Sequence, residues 1–263
     1  MQKYLSLLRY EAKTIVRDPI NLYMCTYPVM VLLLSCWVFP MIFESMDPVK
    51  GTMLKVSMFV LLIVVLAFGP FFLAALAAFL LLDHKDENTL HTLSVTPLGA
   101  GGYLRFKMVY IYVMAVVGDV AVLLGTKLLV GDKYAVMGVS FFGNIGVAHI
   151  VAFAAVNALF APALGLLQGA LARNKVEGFA MIKGTGIFAL VPALMALEAF
   201  QGRLQYVLGI FPNFWAIRAM LVKFMPVALD GNLSFPVYLL IGAVYNAAVL
   251  IVSYRLFLRR AEY

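Results

Sequence analysis

Val56–Leu82 reads VSMFVLLIVVLAFGPFFLAALAAFLLL, and Asp83–Lys107 follows it as DHKDENTLHTLSVTPLGAGGYLRFK. The first stretch holds no charged residue and exceeds the roughly 20 apolar residues that a helix needs to cross a bilayer. Beyond Lys107 a second apolar run, Met108–Thr126, carries a single charge, Asp119. A polar segment between two such runs reads as a loop joining two membrane spans. Its acids Asp83, Asp86 and Glu87 offer that loop to a soluble partner.

The rest of the chain follows the same pattern. It has 263 residues, of which 64% are hydrophobic and 13% charged, where a soluble domain would carry about 25% charged residues. A charge at the centre of a membrane helix costs roughly 2.5–3.5 kcal/mol, so its scarcity is what a bilayer selects. The runs are longer than the segments of about ten alternating residues that build a membrane barrel. The expected fold class is therefore an all-α integral membrane protein.

Six spans fit: Ile20–Phe43, Met53–Leu82, Met108–Leu129, one within Tyr134–Ala172, Phe179–Leu197 and Leu233–Tyr254. The fourth stretch is too long for one straight span and too short for two, so its first part reads as an interfacial segment. Residues 198–232 contain LGIFPNFWAIRAML, too apolar for an ordinary loop and too short to cross. A re-entrant or interfacial helical hairpin is the expected form, tolerated where protein satisfies its backbone; a soluble helix packed outside is the alternative. Thirteen Lys and Arg fall on the N-terminus, the loops after spans two and four, and the C-terminus, against seven on the other side. The positive-inside rule puts both termini, and the Asp83–Lys107 loop, in the cytoplasm.

Residues 1–19 read as an amphipathic helix lying in the interface. Leu5, Leu8, Ala12 and Ile15 share one face, and Arg9, Lys13 and Arg17 another. Asp18-Pro19 ends it, because proline disfavours the helical region for the residue before it. Residues 20–263 then form the membrane domain. The first apolar run begins near Ile20 and no small-x-small site follows it, so no cleavable signal is expected. The net charge of +7 is accounted for by basic residues at span ends, which meet anionic lipid rather than nucleic acid. Cys25 and Cys36 stand about 16 Å apart along a helix, too far for a disulfide.

Within the loop, Asn88 reads as the N-cap of a short helix that Pro97 and Gly99 close, with Leu90 and Leu93 on one face. Asp86 and Glu87 precede it, where negative charge is favourable. Gly99, Gly101 and Gly102 follow a Thr-Pro-Leu break rather than a strand, so they read as turn and hinge glycines. No G-x-x-x-x-G-K-[ST] occurs, so no nucleotide is expected to bind here. His84 and His91 stand roughly 10 Å apart on a helix, too wide for one metal ion. Ala161, Gly165 and Gly169 recur at four-residue steps, a close-packing face for either an internal helix or a second subunit. Pro28, Pro70, Pro162 and Pro192 could each kink a span. Asp119 is the only carboxylate deep in a span, and His149 is a possible partner; the pair is a candidate polar point or gate in a transport path, or a hydrogen bond between helices.

These motifs together resemble the permease subunits of type-2 ABC exporters. Tyr10-Glu11-Ala12-Lys13 followed by Arg17-Asp18-Pro19 is similar to that family's elbow helix, and Glu11, Arg17, Asp18 and Pro19 carry the likeness. Asp86-Glu87-Asn88-Thr89-Leu90, Leu93, Thr96-Pro97-Leu98 and Lys107 resemble its first cytoplasmic loop, with Asn88 where Gly is usual. Phe211-Pro212-Asn213-Phe214-Trp215 matches the segment before the last span in kind. The resemblance implies that Asp86, Glu87, Thr89, Leu90, Leu93, Thr96 and Pro97 form a coupling helix seated in a separate P-loop ABC ATPase, present in two copies and holding ATP and Mg. It implies a second permease half, identical or related, and a bacterial or archaeal cell membrane. An amphiphilic drug, lipid or peptide would be exported between the halves, along a path lined by spans one, two and five. This chain would be non-catalytic, without a bound cofactor or metal. The Arg173–Lys183 loop is a weaker second seat. An ion- or proton-coupled transporter is the alternative; it would show inverted repeats with broken helices, and no repeat is visible. An intramembrane protease would want His and Glu pairs on facing spans, and the spans hold only His149 and Asp119.

Overall fold

The computed structural model describes residues 9, 12–45, 51–87, 99–136, 139–195, 200, 202–224 and 233–261. They form a helical bundle with one short exception, a two-residue antiparallel hairpin of β1 (Ala135–Val136) and β2 (Val139–Ser140). Five helical stretches are long and apolar enough to cross a membrane, and a sixth is made by a bent pair, among the described residues.

The bent pair is the first span. Helix α1 (Pro19–Cys25) starts with proline at its first position, where a missing N–H costs nothing. The Asp18 carboxylate caps it, accepting from the Ile20 N–H at 2.9 Å and the Asn21 N–H at 3.5 Å. Helix α2 (Tyr27–Leu33) then turns away by 50°. Pro28 is the cause, since it has no N–H to return to the Met24 carbonyl. A π-helical turn (Leu34–Val38) and α3 (Phe39–Ser45) complete the span.

Helix α4 (Gly51–Asp86) is the second span and α5 (Gly99–Val130) the third. Both run into the segment that reads as a loop by sequence. Asp83–Asp86 and Gly99–Lys107 are helical, so the connection shortens to Glu87–Leu98. Gly99 opens α5 at a φ of 66°, a left-handed conformation that other residues resist. Gly101 and Gly102 lie inside α5 rather than at a hinge.

The fourth stretch divides as its length requires. A 3-10 turn (Gly131–Lys133), the β-hairpin and a turn fold over one end of the bundle before the span begins. The Tyr134 hydroxyl donates to the Ser35 carbonyl at 2.6 Å, and its ring meets Phe142 edge-on. The span itself is α6 (Val147–Asn157) and α7 (Phe160–Leu171). The break between them precedes Pro162, which cannot donate to the Ala158 carbonyl.

Helix α7 is the centre of the molecule, packed between α4 and the last span. Its small-residue face settles the question that the sequence leaves open. A Cβ on Gly165 would lie 2.5 Å from Ala77 Cβ and 2.7 Å from the Ala74 carbonyl oxygen, and one on Gly169 3.0 Å from Leu81. The stripe therefore packs inside the subunit, against α4.

The fifth span begins earlier than its apolar run. Helix α8 (Lys175–Thr185) starts four residues before Phe179, because the Asn174 side-chain Oδ1 caps it, accepting from the Glu177 N–H at 2.8 Å. The expected Arg173–Lys183 loop is thus only a tight link at Ala172–Asn174. Helix α9 (Ile187–Leu194) continues the span past a turn at Gly186.

Between spans five and six the chain forms a helical hairpin: a 3-10 helix (Gly202–Ile210) and α10 (Phe214–Phe224) flank Pro212-Asn213. Helix α10 is largely buried, with Arg218 among its buried residues and Trp215, Val222 and Lys223 half-buried. The turn's backbone is satisfied by protein. Asn246 donates to the Pro212 carbonyl at 3.0 Å, Tyr245 to Ile210 at 2.5 Å, and Trp215 Nε1 to Gly209 at 2.9 Å. Asn213 in turn donates to the Phe188 carbonyl at 2.5 Å. That is the condition under which irregular backbone survives at membrane depth. Helix α11 (Phe235–Ala261) is the last span.

Candidate functional site

Two of the predicted coupling residues, Asp86 and Glu87, fall among the described residues, at the end of α4. The coupling-helix residues Thr89, Leu90, Leu93, Thr96 and Pro97, with Asn88, lie outside the described residues. What the structure gives is the stem on either side. The His84 Nε2 and Tyr103 hydroxyl are hydrogen-bonded at 2.8 Å, joining the end of α4 to the start of α5. Lys107 is fully buried; its ammonium donates to the Leu80 carbonyl at 2.7 Å and sits 5.0 Å from the centre of the Tyr103 ring. A buried ammonium is tolerated only when so partnered.

The same end is tied to its other neighbours. Asp83 forms an ion pair with the Lys175 ammonium, and the Asp86 carboxylate accepts from the Lys175 N–H at 3.2 Å. Asp86 therefore also helps to cap α8, where the exposed N–H groups favour an anion. Lys85 donates to the carbonyls of Gly169 at 2.6 Å and Ala172 at 2.9 Å, and Arg260 to that of Ala170 at 3.3 Å. These are the orphan carbonyls at the end of α7, where cations are favoured. At this end α5, α7 and α8 are thus each bound to α4, and the last span is bound to α7 through Arg260. Glu87 is exposed and its backbone N–H closes the last turn of α4 onto Asp83 at 3.0 Å.

Of the elbow residues, Glu11 lies outside the described residues. Residues 12–17 are helical; Arg17 is exposed, and Ile15 is buried on the opposite side, in the bundle core. Asp18 and Pro19 start α1 as described. A cleft of about 300 Å³ opens here between the first and fifth spans, lined by Asp18, Asn21, Phe79, Lys175 and Phe179 among others.

Asp119 is buried in α5, but its partner is not His149. Its carboxylate accepts from Asn157 Nδ2 at 2.9 Å, and the same amide donates to the Leu66 carbonyl at 3.2 Å. Asp119 and Asn157 thereby tie spans two, three and four. His149 instead turns back on the start of its own helix, accepting from the Gly146 N–H at 3.2 Å, with its ring against Phe235. Two helical turns separate positions 149 and 157, which is why an acid facing one cannot reach the other. Beside this pair Tyr27 wedges between Gly69 of α4 and Gly118 of α5. Asp119→Leu should lower the thermal midpoint by the equivalent of about 0.6–1.7 kcal/mol, the range of hydrogen bonds between membrane helices, and Asp119→Asn by less. Thermal unfolding of the purified chain in detergent measures both, and an unshifted leucine variant would refute the tie.

Sequence reasoning missed Asn157, Lys175 and the burial of Lys107. A side-chain amide in a charge-free span, one of two there with Gln168, was the available signal for the first. Lys175 and Lys107 look like ordinary span-end bases, and their roles need the neighbouring helix.

Two comparisons bear on this arrangement. Residues 11–254 match the family described as Fluoroquinolones export permease protein Rv2686c-like. Two Mycobacterium tuberculosis proteins, Fluoroquinolones export permease protein MT2760 (strain CDC 1551 / Oshkosh) and Rv2686c (strain ATCC 25618 / H37Rv), are each 30% identical over 184 residues. The match covers 70% of this chain and 65% of each relative's length.

Proposed function

The chain belongs to the Rv2686c-like family of fluoroquinolones export permeases, and from that premise we propose that it is the membrane subunit of an ATP-driven exporter whose ATPase is a separate chain. The observation that carries the reading is the bound stem of the Glu87–Leu98 connection. A partner that pushes on this segment pushes on α4 and α5 together through His84–Tyr103 and Lys107–Leu80. Through Asp83, Lys85 and Asp86 the same push reaches α7 and α8. A stiff link of this kind suits the transfer of domain closure on ATP binding into movement of spans. The chain itself would bind no nucleotide, and two ATPase copies with ATP and Mg would serve a pair of permease halves.

The cargo would be amphiphilic, and fluoroquinolones, named in the relatives' description, are the first to test. The cleft between spans one and five has the matching character, being lined by polar Asp18, Asn21 and Lys175 and by apolar Phe79 and Phe179. The exposed apolar faces of the same two spans, with Trp37 and Met41 on one and Phe179 and Leu190 on the other, are where a second permease half would seat. The basic end of the bundle would face the cytoplasm with both termini.

The test is a Glu87→Ala, Leu90→Ala double variant, reconstituted with its ATPase in vesicles. ATP hydrolysis should persist while nucleotide-driven fluoroquinolone efflux falls by on the order of tenfold, the loss expected when about 1.4 kcal/mol of coupling is removed. Unchanged coupled transport would refute the coupling role. Efflux driven by a proton gradient without nucleotide would return the secondary-transporter reading.

A further inference from the structure

The end of the bundle that holds the stem also carries a cleft with a different chemistry. It has a volume of about 370 Å³ and is lined by Lys85, Arg173, Arg259 and Arg260 with the backbone-bearing end of α7, Ala170–Ala172. Four cations line it and no carboxylate does. Lys85 and Arg260 are partly committed, since both donate to α7 carbonyls. Arg173 and Arg259 are exposed, and neither forms an ion pair among the described residues. Glu177 accepts from the Arg173 backbone N–H at 2.9 Å. Four positive charges held around one cleft repel one another, and an anion seated among them would relieve that repulsion.

The occupant is indicated by what the cleft adjoins. Leu240, Val244 and Ile251 on α11 are each more than half exposed. They recur at helical steps on one face, and the same face continues to Arg255 and Arg259. An apolar stripe on the outside of the last span contacts acyl chains, and it ends at the basic cleft. We propose that this cleft is a binding site for one anionic phospholipid of the cytoplasmic leaflet, with its acyl chains along the α11 stripe and its phosphate among Arg173, Arg259, Arg260 and Lys85. Soluble acidic surfaces and free anions would use the charge but leave the stripe unused.

The probe is phosphatidylglycerol added to the full chain in a non-ionic detergent, with phosphatidylcholine in parallel, and retention is read by native mass spectrometry. The wild-type chain should keep one phosphatidylglycerol in preference to phosphatidylcholine. Arg173→Gln with Arg259→Gln should reduce that retention about thirtyfold, given roughly 1 kcal/mol per basic residue near a lipid surface. Arg173→Lys with Arg259→Lys should keep most of it, which separates lost charge from lost folding. Arg203→Gln, outside the cleft, should change nothing. Equal retention by the glutamine variant, or equal retention of phosphatidylcholine by the wild type, would overturn the proposal. So would displacement of the lipid by millimolar inorganic phosphate, which would make the cleft a seat for a free anion. Loss of the ATPase partner from the glutamine variant with lipid retained would make it a protein seat instead, and would equally overturn it.

Discussion

Gly165→Leu should abolish recovery of folded protein. Helix α7 packs against both α4 and α11, and at Gly165 its backbone lies directly against α4. The first side-chain atom alone would stand 2.7 Å from the Ala74 carbonyl oxygen and 2.5 Å from Ala77 Cβ. The obstacle is backbone and a methyl group on a helix, so no flexible side chain can swing away. Overpacking of a tight core costs about 1–3 kcal/mol when side chains can adjust, and leucine here has less room than that range assumes. Gly169→Ala should cost less, since the atom it meets, Leu81 Cδ1 at 3.0 Å, is the end of a movable side chain. Gly184→Ala should be neutral or slightly stabilising, because nothing lies within 4 Å of that position. Yield of monodisperse protein and thermal midpoint in detergent give the order. A folded, normally melting Gly165→Leu variant would mean that α7 does not sit against α4 as described.

Lys107→Met should remove the strongest link in the stem. Methionine fills a similar volume, so packing is largely kept while the ammonium is lost. The Leu80 carbonyl then loses its donor and the Tyr103 ring its cation. Hydrogen bonds from charged groups contribute about 1.5–3 kcal/mol, so a loss of that size is expected in thermal or denaturant unfolding. The transport consequence is more specific. With α5 freed from α4, movement of the connecting segment would no longer be passed to both spans, so efflux should fall further than stability does. His84→Ala removes the second link and should add to the loss less than independently, because both links act on the same pair of helix ends. Wild-type transport and stability in Lys107→Met would dispose of the stiff stem.

Span number was legible because it depends on a scalar quantity. Each of the six apolar runs is long enough to cross and too poor in charge to stay in water, whatever its neighbours. The kink at Pro28 and the hairpin around Pro212 were legible for a related reason, since a missing N–H acts locally. The ends of helices were not. Apolarity stops at Leu82 and resumes at Met108, but a helix ends where its hydrogen bonds end. Asp83–Asp86, Gly99–Lys107 and Lys175–Gly178 are polar or small and yet helical, because caps and cross-helix bonds support them beyond the apolar core. The candidate site was legible by type and not by pairing. Asp119 announced itself as a buried acid, whereas its bond to Asn157 instead of His149 depends on how α5 and α6 are rotated against each other. The Gly165 stripe likewise showed that something packs closely there and left α4 to be identified by the fold.

By itself the sequence determined that this protein lies in a bilayer, that it crosses about six times, and that its basic side carries an acidic connecting segment. Those properties follow from transfer free energies, which sum over residues one at a time. Only the tertiary structure decided that α7 is buried between α4 and α11, that Lys107 and His84 bind two spans into one stem, and that four cations from three distant segments gather around one cleft. Each of these depends on distances between residues far apart in the chain, which no local pattern of polarity specifies.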